Sequence, residues 1–129
     1  MSTRSYISYE MKNGSYSGVY CHHDGYPGCV GATLLKKYNS SNITKLIDLG
    51  SFSSLGDTPE ETKTFSYDSE DYIICETREE LYKMSSKSGA EYTYVLLRNG
   101  DWTVYLHEDQ QETELKTVLS DLQRSHKSC

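Results

Sequence analysis

No apolar run in the chain approaches the ~20 residues that a membrane-spanning helix requires, and the opening stretch Met1 to Tyr6 lacks the apolar core of a secretory signal. These two absences predict a cytoplasmic protein with no membrane partner. Basic residues are the minority, 13 Lys and Arg against 19 Asp and Glu, for a formal charge of -6. That balance argues against direct nucleic acid binding, which relies on phosphate-neutralising cations, and leaves a basic partner as the better electrostatic match. Cysteine is sparse, at four residues. In a chain with enough length for a full core and no export signal, the expectation is reduced thiols rather than a disulfide scaffold. Neither of the Gly-rich phosphate-loop patterns occurs. There is also no repeat of roughly 20–50 residues of the kind that marks a solenoid, and no low-complexity tract. Phenylalanine and tryptophan are scarce, with two and one residues, whereas tyrosine supplies 12. A tyrosine ring buries apolar area and keeps a hydroxyl that needs a partner, which suits half-buried sheet faces and recognition surfaces.

At 129 residues the chain is expected to form a single α+β domain, spanning 1–129. Ser5 to Met11 alternates at the period of a half-buried strand. Asn13-Gly14 then accepts the positive φ angles of a tight turn, and Tyr16 to Cys21 supplies the returning strand. A second hairpin is signalled by Tyr92 to Leu97, Asn99-Gly100, and Trp102 to Leu106, with Trp102 read as a hairpin packing residue. Between them, spacing predicts a helix from Cys29 or Val30 to Tyr38. A second short helix, from about Asn42 to Leu49, is expected to stop at Gly50. Ser51 to Glu61 reads as a loop, and Thr64 to Tyr67 and Tyr72 to Cys75 as short strands. Thr77-Arg78-Glu79-Glu80 is a capping box opening a helix to about Ser86, with Leu81 and Met84 facing inward. Leu115, Val118, Leu119 and Leu122 mark an amphipathic helix from about Glu112 to Arg124. It closes one face of the sheet or pairs with a second copy in a homodimer. The sum is a mostly antiparallel sheet built from two Asn-Gly hairpins, with short helices mainly on one face.

Chemistry concentrates in Tyr20 to Cys29, where two thiols, two imidazoles, a carboxylate and two phenols fall together. Thiolate and imidazole are zinc ligands, but the C-x2-C and H-x3-H spacings are absent, so no metal or other cofactor is expected. Three other readings stand side by side. In the first, Asp24 orients His22 beside a nucleophile drawn from Cys21 or a tyrosine. In the second, Asp24, Gly25 and Pro27 only shape a turn. In the third, Arg4, Tyr20, His22, Asp24 and Tyr26 form a binding loop on a rigid hairpin. The acidic clusters around Glu60-Glu61, Asp68 to Asp71 and Glu108 to Glu112 read as solvated faces.

The runs Ser2-Thr3-Arg4-Ser5, Tyr20-Cys21-His22-His23-Asp24-Gly25-Tyr26-Pro27, Val30-Gly31, Leu34-Leu35 with Tyr38, and Ser53-Ser54-Leu55-Gly56 carry a resemblance. The chain resembles a group of small uncharacterised bacteriophage and prophage proteins with the pattern S-T-R-S, Y-C-H-x-D-G-Y-P, V-G and S-S-L-G. The likeness covers nearly the first half closely and the Tyr-rich hairpin near Trp102. It is poor from Asp57 to Met84 and in the C-terminal helix. His23 stands where many of the group have an aromatic residue, and Cys29 lies outside the motif, which argues against a required role for either. The resemblance implies an accessory factor rather than an enzyme, such as an inhibitor that binds a host defence protein, for example a CRISPR effector. The alternatives are a sponge for a small nucleotide immune signal and a small enzyme using His22 and Asp24.

Overall fold

The computed structural model describes residues 3–64 and 72–123. Along the chain run β1 (Ser5–Glu10), β2 (Tyr16–Cys21), a π-helical turn (Pro27–Gly31), α1 (Ala32–Lys37) and α2 (Ile43–Ile47). There follow β3 (Phe52–Ser54), a 3-10 turn (Pro59–Glu61), β4 (Lys63–Thr64), β5 (Ile73–Cys75) and α3 (Arg78–Lys87). The chain then forms β6 (Tyr92–Leu96), β7 (Trp102–Leu106), β8 (Gln111–Glu114) and α4 (Leu115–Gln123).

Both Asn-Gly hairpins form as the turn chemistry dictates. Gly14 and Gly100 take φ of 87° and 95°, angles that glycine adopts without a Cβ clash. The asparagine before each glycine accepts the backbone N–H two residues on, Asn13 from Ser15 at 3.0 Å and Asn99 from Asp101 at 2.9 Å. The hairpins join side by side through a parallel pairing of β1 with β6, from Ser5 opposite Tyr92 to Tyr9 opposite Leu96. The sheet order is β4-β3-β2-β1-β6-β7-β8. The outer edge of β2 is shared: β5 pairs antiparallel along Tyr16 to Gly18, and β3 pairs parallel at Cys21. The other pairings are antiparallel, so the sheet is mostly antiparallel and the fold is α+β.

Strand alternation sorts the side chains into two layers. On one face Ile7, Val19, Tyr94, Leu96, Trp102 and Val104 meet Val30, Leu34, Ile43, Leu46, Ile47 and Leu115, so α1, α2 and α4 cover a single large core. Trp102 packs there as expected, with its indole N–H donating to the Tyr38 carbonyl at 3.1 Å. On the other face Tyr16, Cys75, Leu81 and Val95 form a smaller core under α3. The central strands are locked from within. The Ser8 hydroxyl donates to the Tyr94 carbonyl at 2.7 Å, and a Cβ at Gly18 would come within 2.9 Å of the Ser8 Cβ.

Several expectations need correction. Phe52–Ser54, inside the segment read as loop, is strand β3, whose Phe52 is fully buried. The C-terminal helix starts at Leu115 rather than Glu112, because Gln111–Glu114 pairs with β7. The first helix is split into the π-helical turn and α1. Thr77 caps α3 as read, accepting the Glu80 N–H at 3.1 Å, but Met84 is 37 % exposed. The inward positions of α3 are Leu81 and Ser85, one turn apart, and the Ser85 hydroxyl is satisfied by the Leu81 carbonyl at 2.8 Å. Cys21 and Cys75 are free and buried. Positions 65–67 of the expected strand and Arg124 of the expected helix lie outside the described residues.

Candidate functional site

The loop singled out by its chemistry leaves the end of β2, and strand alternation decides which groups meet there. Tyr20 and His22 are two residues apart in extended backbone, so their side chains share a face. The Tyr20 hydroxyl lies 2.8 Å from His22 Nδ1. Tyr6, paired with Tyr20 across β1 and β2, packs edge-on to it with ring centroids 6.1 Å apart. His22 and His23 meet edge-on at 4.6 Å. The outcome is a run of rings, Tyr6, Tyr20, His22 and His23, with Tyr6 buried and the others half-buried.

Arg4 belongs to this cluster. Its carbonyl accepts the Glu91 N–H at 2.9 Å, and its guanidinium passes over Gly89, where a Cβ would lie 3.0 Å from Nη1. The cation therefore stands just beyond the C-terminal end of α3, where the helix dipole favours positive charge. Burial raises the Tyr20 phenol above its ordinary range, with Arg4 opposing the rise. For His22, burial, the neighbouring His23 and Arg4 all lower the pKa, so the imidazole is held neutral at pH 7.

Asp24 and Tyr26 contribute differently. Asp24 takes a left-handed backbone at φ 58°, and its carbonyl accepts the Val30 N–H at 3.2 Å. Tyr26 precedes the π-helical turn, and its carbonyl accepts the Cys29 N–H at 3.0 Å. Between them Gly25 is buried against β1: a Cβ there would fall 2.7 Å from the Ser5 Cβ and 2.8 Å from the Thr3 carbonyl. The turn is thus a packed structural element, while Arg4, Tyr20 and His22 form its chemically accessible margin. Cys21 faces the opposite side, in the main core, where burial pushes its thiol up to about 12. It is a neutral thiol at physiological pH, not a nucleophile. Among the described residues no group of three or more His, Cys, Asp and Glu is placed to hold a metal ion.

A second polar cluster, missed by the sequence reading, lies on the same sheet face between α3 and β7. Tyr82 of α3 stacks on Tyr105 at 3.9 Å with an interplanar angle of 10°, and His107 packs edge-on to Tyr105 at 4.8 Å. His107 Nε2 lies 2.7 Å from the Thr93 hydroxyl, and burial lowers the pKa of the ring. Arg78 Nη1 reaches both carboxylate oxygens of Glu112 at 2.9 Å, while its Nε donates to the Tyr16 hydroxyl at 3.1 Å. The Tyr82 hydroxyl donates to Glu112 as well. These residues pin α3 to the β7–β8 hairpin beside a cavity of roughly 270 Å³. The alternation of Tyr105 in β7 with His107 just past its end was the available signal, but their partner Tyr82 comes from a distant helix.

Among the described residues no helix is long and apolar enough to cross a membrane. No family model, curated protein or solved structure matches the chain.

Proposed function

We propose that the protein is a phage-type accessory binding protein, an inhibitor that engages a host defence protein through the margin formed by Arg4, Tyr20 and His22. The observation that carries this reading is the Tyr20–His22 pair. It is a rigid aromatic surface, backed by buried Tyr6 and hydrogen-bonded at 2.8 Å. Large, preordered rings of this kind are what protein interfaces use as anchors, because little conformational entropy is lost on binding. A neutral imidazole, a phenol and one guanidinium set in a chain of net charge -6 suit a partner with a basic rim and an apolar or aromatic centre. The class of partner, a defence component such as a CRISPR effector, follows from the phage resemblance. A sponge for a small nucleotide signal is the second reading, favoured by the placement of Arg4 beside two stacking rings.

The test is affinity capture from a bacterial host lysate with the wild-type chain and a Tyr20→Ala, His22→Ala variant. Asp24 is left intact, because an alanine at its left-handed backbone would strain the turn. One host defence protein retained by the wild type and lost by the folded variant supports the inhibitor reading. A nucleotide released from the wild type on denaturation, with no retained protein, replaces it with the sponge. Product formed from a candidate substrate in an activity screen of the same pair replaces both with an enzyme.

A further inference from the structure

The parallel contact between β1 and β6 creates a place that neither hairpin has alone. Beyond its carboxyl end β1 turns toward β2, whereas β6 turns toward β7 on the other side. Adjacent parallel strands whose connections diverge can leave a crevice at their carboxyl ends, the position at which open α/β sheets bind ligands, and here the two diverging connections are hairpins. A cavity of roughly 490 Å³ occupies that position, inside the range of about 300–1,000 Å³ typical of small-molecule sites. It lies at the far end of β1 from Arg4 and His22, so it is separate from the margin assigned above.

The walls specify a ligand. Tyr9 and Met11 from β1 and its turn, Leu96 and Leu97 from the end of β6, and Ile43 from α2 form the apolar part. Ile43 and Leu96 belong to the main core, so this floor is fixed. Lys12 and Arg98, both exposed, stand on the two turns that frame the opening. The carboxylate at the opening, Glu10, is turned to the backbone: its Oε1 accepts the Arg98 N–H at 3.1 Å. Asp48 and Tyr72 lie near the Tyr9 phenol, and together with burial they raise its pKa, so Tyr9 offers a neutral hydroxyl. A lining of apolar floor, two cations and one engaged carboxylate, with Asp48 near Tyr9 but outside the lining, matches a molecule with an apolar body and a negative head. We propose that this crevice binds a small anionic amphiphile, an apolar group bearing one carboxylate or phosphate.

The test is an amide NMR titration of the intact chain with three eight-carbon probes: octanoate, octyl phosphate and octyltrimethylammonium. Octanoate or octyl phosphate is expected to shift the amides of Tyr9, Met11, Ile43, Leu96 and Leu97. The tighter of the two identifies the head group. A Lys12→Gln, Arg98→Gln variant keeps the Arg98 N–H that holds Glu10, and is expected to bind the anionic probes about tenfold more weakly. Thr44→Trp, at an exposed lining position of α2, fills the space and is expected to abolish the shifts while the remaining spectrum is unchanged. Equal binding of the cationic probe, shifts centred elsewhere, or no shift up to about 10 mM, below even millimolar affinity, overturns the proposal.

Discussion

Tyr94, fully buried in β6, donates its hydroxyl hydrogen bond to the Gly25 carbonyl at 2.6 Å. This bond fastens the turn that follows β2 to the centre of the sheet, across the layer that holds α1 and α4. Burial raises the pKa of this phenol well above its ordinary value, so it is neutral at physiological pH. It is therefore a donor there.

Replacing Tyr94 with Phe removes that donor and leaves the Gly25 carbonyl unsatisfied in a closed environment. The expected cost is about 1–3 kcal/mol, read as a lowered midpoint in urea denaturation with an unchanged slope. A variant as stable as wild type would show that water reaches the carbonyl and that the turn is not held by this bond.

Gly25→Ala is expected to destabilise the fold, because its Cβ would meet Ser5 and the Thr3 carbonyl at distances real Cβ atoms do not reach. Adding Ser5→Gly removes one of the two obstructions. A double-mutant cycle should then show partial rescue, with the remaining deficit due to the Thr3 backbone. Independent, additive losses would mean that the two positions are not in contact.

His107 should make stability depend on pH. Its folded-state pKa lies below the unfolded value of about 6.5. Below 6.5 the unfolded chain therefore binds more protons than the native one. The contribution is fully present above pH 6.5 and is lost as pH falls through the lower folded value. Denaturation curves from pH 7.5 to 5 should show this decline, and His107→Gln should flatten it relative to wild type. His22, also lowered, adds to the slope in the same direction from the other side of the same sheet face. An unchanged slope in the His107 variant would place that ring in water.

The parts of the fold legible in the sequence are those with local causes. Asn13-Gly14 and Asn99-Gly100 fix their hairpins through backbone angles that few other pairs accept, and Thr77 marks the start of α3 by satisfying the Glu80 N–H. The parallel pairing of β1 with β6 has no comparable mark, since nothing in either strand names its distant neighbour. Gln111–Glu114 is wholly polar and forms β8 by backbone bonding along β7, so its composition resembled a helix start. Met84 sits outside because α3 touches the sheet along the narrow line of Leu81 and Ser85. In the candidate site, the proximity of Tyr20 and His22 follows from strand alternation and was within reach. The division of labour was not: Asp24 and Tyr26 serve the turn, a distinction set by Gly25 packing against Ser5 and Thr3.

The seam between β1 and β6 also constrains the order in which the molecule can be made. Ser8 and Tyr94, joined across it, are 86 residues apart. During synthesis the first hairpin leaves the ribosome and closes within about microseconds, but β1 has no second neighbour until β6, Tyr92–Leu96 of 129 residues, has emerged. Non-local pairing of this kind slows folding, so the Ser5 to Tyr9 edge waits with its main-chain groups unpaired, and in that interval the nascent chain is most open to chaperone capture or misassociation.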